Sequence, residues 1–350
     1  MNQSNIWLSL FIRIHMRMVI NAFRIPMSKG ILVIVALTAA AILATGFSIG
    51  TGAVRISLSE IWLYVFHGYD GPMKEIVWNI RLPRTLVGML VGANLALSGA
   101  LLQGVMRNSL ADPHIIGVSS GAGLFGIIVL ILFPHLWSML TPIAFLGASG
   151  AAAIIYLLAW KDGVQPERLI LAGVAVSAFL GSGISALLIF FSDRVNGALV
   201  FMVGGLSAKS WPELEIILPY SLIGMSLAFI GSSHLNILAL GDSNARGLGL
   251  SVEAARFFLT ALATLLAASA VSVVGLLGFV GLIVPHSARL LIGSDYRFLL
   301  PASVLLGAAV VTFCDTLARL MFAPLELPVG IMMGALGAPF FLYLLRREAR

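Results

Sequence analysis

Charge is what this chain has least of: 10% of its 350 residues are Asp, Glu, Lys or Arg, against roughly 25% in ordinary soluble domains. With 59% hydrophobic residues, the composition is that of a protein dissolved in lipid. A single cysteine, Cys314, excludes an intrachain disulfide and any Cys-rich metal site. No GxxxxGK[ST] phosphate loop is present; "GGLSAKS" at Gly204 to Ser210 lacks the glycine before Lys209. The chain is therefore not expected to bind or hydrolyse nucleotide itself. Neither a G-x-S-x-G nucleophile elbow nor an H-E-x-x-H zinc helix occurs. The six histidines (His15, His67, His114, His135, His234 and His286) are dispersed. An enzyme would concentrate its titratable groups, so no catalytic residue and no metal ligand is assigned. The net charge of +6 is modest and scattered through loops, which argues against nucleic acid and makes the basic residues topology signals.

What is present is a succession of charge-free runs, each a candidate span, since a charge at the bilayer centre costs about 2.5 to 3.5 kcal/mol on insertion scales. The first lies in Gly30 to Val54 and the second in Thr85 to Met106. Pro113 to Trp160 is too long for one helix and carries Pro134, His135 and Pro142 near its middle, so it reads as the third and fourth joined by a short turn. The fifth lies in Leu169 to Phe191 and the sixth in Ile216 to Ser233. Phe257 to Ala288 is again too long, and Gly275 with Gly278 offers the break between a seventh and an eighth. Phe298 to Cys314 and Leu327 to Leu345 supply the ninth and tenth. Glycines four residues apart (Gly88 and Gly92, Gly117 and Gly121, Gly330 and Gly334) suit helices that pack by close backbone approach in lipid.

The expected organisation is a segment 1–29 followed by a transmembrane domain 30–350. Residues 1–29 mix Arg13, Arg17, Arg24 and Lys29 with apolar residues, the pattern of a retained amphipathic arm on the cytoplasmic membrane surface. Ten spans with both termini cytoplasmic place fourteen Lys and Arg inside and seven outside, as the positive-inside rule requires. Merging the seventh and eighth spans would put the basic tail "RREAR" outside. This count leaves Arg81 and Arg84 of "IRLPR", and Arg319, on the outer side, at helix ends from which arginines can snorkel to headgroups.

The middles of the spans carry almost no charge, which disfavours an ion-coupled secondary transporter, the alternative from another class. Asp315 and Arg319, four residues apart, share a helix face and can pair. The longest inside loop, His234 to Phe258, contains "LALGDSNARGLGL". Asp242 or Ser243 can cap a short helix there, and Gly247 and Gly249 can end it. By pattern alone this is either a rigid handle for a cytoplasmic partner or an interfacial connector with none.

That loop resembles the coupling segment of the FecCD-type permeases, the membrane subunits of ABC importers for iron siderophores, haem and cobalamin. "IRLPRTLVGMLVGANLALSGALLQGVMRNSLADPHIIGVSSGAG" from Ile80, "GFVGLIVPHSARLLIGSD" from Gly278 and "LELPVGIMMGALGAPFFLYLLRR" from Leu325 agree with it. The similarity runs from about residue 50 to the C-terminus; Met1 to Lys29 is not explained by it. The resemblance implies an all-α integral membrane fold of ten transmembrane helices per subunit, like the cobalamin permease. It implies a dimer, of this chain with itself or with a paralogue, two cytoplasmic ATPase subunits that bind the ATP and Mg, and an extracytoplasmic binding protein, all in a bacterial plasma membrane. Ferric siderophore is the expected cargo, with cobalamin or haem as alternatives. Arg81, Arg84 and Arg319 would dock the binding protein, and Leu240, Gly241, Asp242, Ala245, Arg246 and Gly249 would contact the ATPase.

Overall fold

The structure, a computed structural model, describes residues 27–52, 54, 56–67, 70–161 and 163–348. The amphipathic arm expected at 1–29 lies outside the described residues but for its last three. Helix α1 is Met27–Gly50, α2 Leu58–Phe66 and α3 Leu82–Met106, the last entered through a π-helical turn at Ile76–Arg81. Helices α4 (Val118–Leu132), α5 (Leu140–Ala159) and α6 (Pro166–Phe190) follow. A short α7, Val195–Val203, precedes α8, Trp211–Ile230. The turn of helix α9 (Ser232–Leu238) leads to α10 (Asp242–Gly247), and α11 (Val252–Val274), α12 (Val280–Ile292), α13 (Tyr296–Met321) and α14 (Val329–Glu348) complete the chain.

Among the described residues, seven helices are long and apolar enough to cross a membrane: Lys29–Gly50, Ile76–Met106, Pro134–Ala159, Pro166–Phe190, Trp211–Ile230, Val252–Val274 and Tyr296–Met321. Three shorter apolar helices, Val118–Leu132, Val280–Ile292 and Val329–Tyr343, accompany them. Each expected span thus falls on an apolar helix in the expected order, although α12, at 13 residues, rises only about 20 Å and does not cross a 30 Å core alone.

Helix α3 is the central pillar. Of its apolar window 83% is buried, against 11% for α6, and it packs against α1, α8, α11, α12 and α13. Glycines set how close those neighbours come. A Cβ on Gly92 would stand 2.1 Å from the carbonyl oxygen of Gly307 in α13. Lipid supplies no hydrophobic force between helices, so this close packing is what holds α3 against α13.

The break expected at Gly275 is present. Helix α11 ends there, residues 275–279 run without helical structure, and α12 begins at Val280. Non-helical backbone at membrane depth is tolerated only where protein satisfies it. Here Leu276 N–H donates to Phe201 C=O at 3.0 Å and Gly205 N–H to Val274 C=O at 2.9 Å, so α7 and the residues after it, which the sequence pattern did not reveal, cover the break. Gly275 has φ +83° and its Cβ position lies 2.1 Å from the Phe201 carbonyl oxygen. Gly275→Ala is therefore expected to lose most of its monodisperse fraction on size-exclusion chromatography in detergent, whereas Gly334→Ala, with open space around it, behaves as wild type.

Candidate functional site

Two polar clusters stand at opposite ends of α3, whose 25 residues span about 37 Å. One surrounds Arg84 in its first turn; the other begins at Arg107, its left-handed C-cap with φ 50°.

At the first end, the π-turn carries Arg81 into the helix start, and Pro83 occupies the first turn of α3, where its missing N–H is not needed. Arg81 is 5% exposed and Arg84 6%. The three arginines expected on the outer surface are instead turned into the bundle. Arg81 closes the end of α1: Nη1 donates to Ile49 C=O at 2.8 Å and Nη2 to Val54 C=O, and a Cβ on Gly52 would press against Nη2 at 2.7 Å. Arg84 makes a fork on Asp315, Nε to Oδ2 at 3.0 Å and Nη2 to Oδ1 at 2.9 Å. Its remaining Nη1 donates to Glu326 Oε2 at 2.7 Å. The expected pair of Asp315 with Arg319 is also there at 3.3 Å. Arg319 Nη2 donates to Ser48 C=O at 3.1 Å and to Ser48 Oγ at 3.0 Å, and Ser48 Oγ lies 2.8 Å from Thr85 Oγ1.

The cluster thus ties α1, α3, α13 and the 322–328 segment together. Its physical reason is the cost of a bare guanidinium at a helix end in lipid, removed by carboxylate forks and carbonyl dipoles. Three guanidinium groups against two carboxylates leave one net positive charge, and Arg81, among the described contacts, has carbonyls alone. Sequence reasoning missed Glu326, Ser48 and Thr85. The signal for Glu326 was a lone acid between two apolar runs, in "LELP".

Glu326 lies between spans, with a half-exposed side chain that also accepts from Ser207 Oγ at 3.2 Å. Burial works to raise its pKa, but the Arg84 hydrogen bond and charge overcome this and hold it below its ordinary 4.5. A carboxyl with a lowered folded pKa stabilises above its unfolded value and loses that contribution as pH falls through the folded one. The expected result is a thermal midpoint in detergent that begins to fall once pH drops below about 4.5, with that part of the fall absent in Glu326→Gln.

At the other end, the 238–250 segment forms a braced projection. Gly241, with φ +94°, turns the chain into α10, and Gly249, with φ +85°, turns it out. Asp242 does not cap α10; its carboxylate is taken by two arginines, because charge-assisted bonds outcompete a backbone N–H. Oδ1 lies 2.8 Å from Arg256 Nη2 in α11 and 3.2 Å from Arg107 Nη2 at the end of α3. Arg256 Nη1 also donates to Val164 C=O at 3.3 Å. Arg246 pairs with Glu253 at 2.7 Å, and Ala245 is fully buried. Of the residues expected to contact an ATPase, Asp242 and Ala245 face inward and fasten the helix, Arg246 is exposed but paired, and Leu240 is exposed. Leu248, which sequence reasoning did not single out, is 63% exposed beside Leu240 at 56%. Arg107 and Arg256, read from sequence as topology charges, are the brace.

Among the described residues no group of three or more His, Cys, Asp or Glu could hold a metal. The charged groups of this helical membrane bundle thus gather at the two ends of its central helix, one cluster fastening a short helix, while mid-helix Asn94 meets only Ser221 and Ser269, at 2.7 and 3.2 Å. Residues 37–347 match the FecCD transport family. The chain belongs to that family. It is 40% identical over 323 residues to the Fe(3+)-citrate import system permease protein YfmE of Bacillus subtilis, covering 92% of this chain and 97% of that one. It is 43% identical over 286 residues to the cobalamin import system permease protein BtuC of Halobacterium salinarum, covering 81% and 77%. Among solved structures, an inward-facing metal-chelate type ABC transporter superposes with a TM-score of 0.81 at 30% identity, covering 90% of this chain and 98% of that one.

Proposed function

We propose that this chain is the membrane subunit of an ABC importer that moves a bulky metal chelate, of which a ferric siderophore is the cargo. It works as a pair of identical subunits with a separate ATPase dimer, which binds the ATP and Mg, and an extracytoplasmic binding protein. The arginine cluster lies outside and α10 in the cytoplasm, with both termini, in a bacterial plasma membrane. The observation that carries the reading is α10 itself, a six-residue helix held by a carboxylate between two arginines, with Leu240 and Leu248 exposed on either side of it. A helix fastened this way transmits displacement in place of absorbing it.

Relatives named for Fe(3+)-citrate and for cobalamin are about equally similar, so what they share is the class, a metal enclosed by its own ligands. Such a cargo needs only weak contacts from the wall, which fits spans whose middles are nearly uncharged. Helix α6 is the least buried of the long helices and exposes Leu171, Val174, Phe179, Ile189 and Phe190, which supports it as a face for the second copy. On the outside, Arg84 already holds one partly exposed carboxylate, Glu326, so a binding-protein carboxylate would dock by exchange with it, next to the net positive charge of Arg81 and Arg319.

The test is co-reconstitution of this chain with the ATPase and binding protein encoded beside it. The expected result is stimulation of ATP hydrolysis by ferric-siderophore-loaded binding protein, lost when 242–249 are replaced by a flexible Gly-Ser linker of equal length. Full stimulation with the linker in place would overturn the reading.

A further inference from the structure

Lys209, in the phosphate-loop look-alike "GGLSAKS", belongs to neither polar cluster. Its backbone N–H closes a turn on Leu206 C=O at 3.3 Å, but among the described residues its ammonium has no hydrogen-bond acceptor and no carboxylate at ion-pair distance. Glu213, the acid nearest to it in sequence, is held elsewhere. Its Oε2 accepts from Ser210 N–H at 3.0 Å and from Ser210 Oγ at 2.9 Å, the capping box that starts α8. Glu215, two residues further on, projects about 200° around the helix from Glu213. Burial outweighs the pull of Glu213 and holds the Lys209 ammonium below its ordinary 10.5. The side chain is half-buried, yet its Nζ is not sealed inside the protein.

The loop that carries this charge is pinned across the Arg84 end of α3. Leu206, 1% exposed, comes within 3.0 Å of the Cβ position of Gly88. Ser207 Oγ reaches Glu326 at 3.2 Å. Ala208, with φ +58°, turns the chain, and Trp211 donates its indole N–H to Trp78 C=O in the π-turn at 3.0 Å. Lys209 is thus a cation with fixed neighbours and no counter-ion. Burying a charge without a partner costs the fold free energy; a group held that way loses little freedom when an anion arrives from outside. The loop lies over α3, the most buried of the long helices, so an anion reaches it from the surface beyond the helix end. Taking that end as the outer one, as the function proposed above requires, we propose that Lys209 is a second docking point for the extracytoplasmic binding protein. It pairs with a surface carboxylate other than the one that exchanges with Glu326. A lysine suits this place, since its ammonium accepts a carboxylate from a range of directions, whereas the fork of Arg84 demands one.

The test uses the full-length chain in phosphatidylcholine nanodiscs and the binding protein encoded beside it, without cargo. Lys209→Gln is expected to weaken binding about tenfold and to lessen its salt dependence, with Lys209→Glu weaker still and Lys209→Arg close to wild type. The thermal midpoint of Lys209→Gln should equal or exceed that of the wild type, because the variant removes an uncompensated charge, so the lost binding is not lost folding. A carbodiimide, which condenses an ammonium and a carboxylate to an amide and takes up the water as its urea, should join Lys209 to one acid of the binding protein. Guanidinium groups do not react, so the crosslink reports this contact and not the arginine cluster. Changing that acid to lysine should restore binding to Lys209→Glu. Unchanged affinity in Lys209→Gln and Lys209→Glu overturns the proposal, as does a carbodiimide product confined to Glu213. So does a Lys209→Gln effect limited to stabilisation of the chain by phosphatidylglycerol, which would assign the ammonium to a lipid headgroup. If Arg84→Met with Asp315→Leu weakens binding while Lys209→Gln does not, this proposal alone falls. If the wild type fails to bind the binding protein at all, the function it rests on falls with it.

Discussion

Arg84→Ala is expected to destabilise the folded chain by about 3 to 5 kcal/mol, the cost of stranding a buried charge whose partner is removed. Asp315 has 4% of its side chain exposed, and without the fork from Arg84 it keeps only Arg319, at 3.3 Å. Asp315→Ala should cost a similar amount for the converse reason, since Arg84 would retain only the partly exposed Glu326. Removing both charges together has a different expected outcome. Arg84→Met with Asp315→Leu replaces the fork by apolar volume, and such replacements are often neutral or stabilising, so the double variant should regain most of the loss. Unfolding in detergent followed by tryptophan fluorescence checks the cycle. A single variant within 0.5 kcal/mol of wild type would show that the fork contributes nothing. The double variant also separates two roles that the single variant confounds. If the guanidinium serves docking as well as folding, the stable double variant should still bind the binding protein more weakly, with less salt dependence.

The sequence made the spans legible because lipid admits few alternatives: an uncharged run of some 20 residues has to be a helix, and Gly275 had to break a run too long for one. The sequence did not show which way a side chain turns at the end of such a helix. Arg81 and Arg84 look like surface charges in "IRLPR" because the carboxylates that take them in, Asp315 and Glu326, lie 231 and 242 residues away from Arg84. No local pattern reports a contact of that range. The same limit hid the brace at the other end. Asp242 in "GDSNARG" resembles a helix cap, and within its own segment it could be one. Only the fold brings Arg107 and Arg256 to the same carboxylate. The short α7 escaped because nine residues with little polar contrast carry no periodicity.

Asp242→Ala is the variant with the largest expected effect on transport. Its carboxylate is the joint at which α3, α10 and α11 meet, and those are the central pillar, the projecting helix and the span that leads to the Gly275 break. Without it, Arg256, with 8% of its side chain exposed, keeps a carbonyl alone, and α10 stays attached through the buried methyl of Ala245 and the exposed Arg246–Glu253 pair, a pair of the kind that contributes 1 kcal/mol or less. A push on Leu240 and Leu248 would then tilt α10 and not move the spans. Uptake in the reconstituted system is expected to fall at least tenfold, equivalent to about 1.4 kcal/mol of coupling. Leu240→Ser with Leu248→Ser should match that loss while leaving detergent stability unchanged, because both side chains point away from the bundle. Asp242→Asn, which keeps an acceptor for Arg256 but no charge for the second arginine, is expected to fall between. If Asp242→Ala transports at the wild-type rate, α10 does not act as a lever braced on the bundle. If its uptake falls only in proportion to the amount of folded protein, the carboxylate fastens the fold and takes no part in coupling.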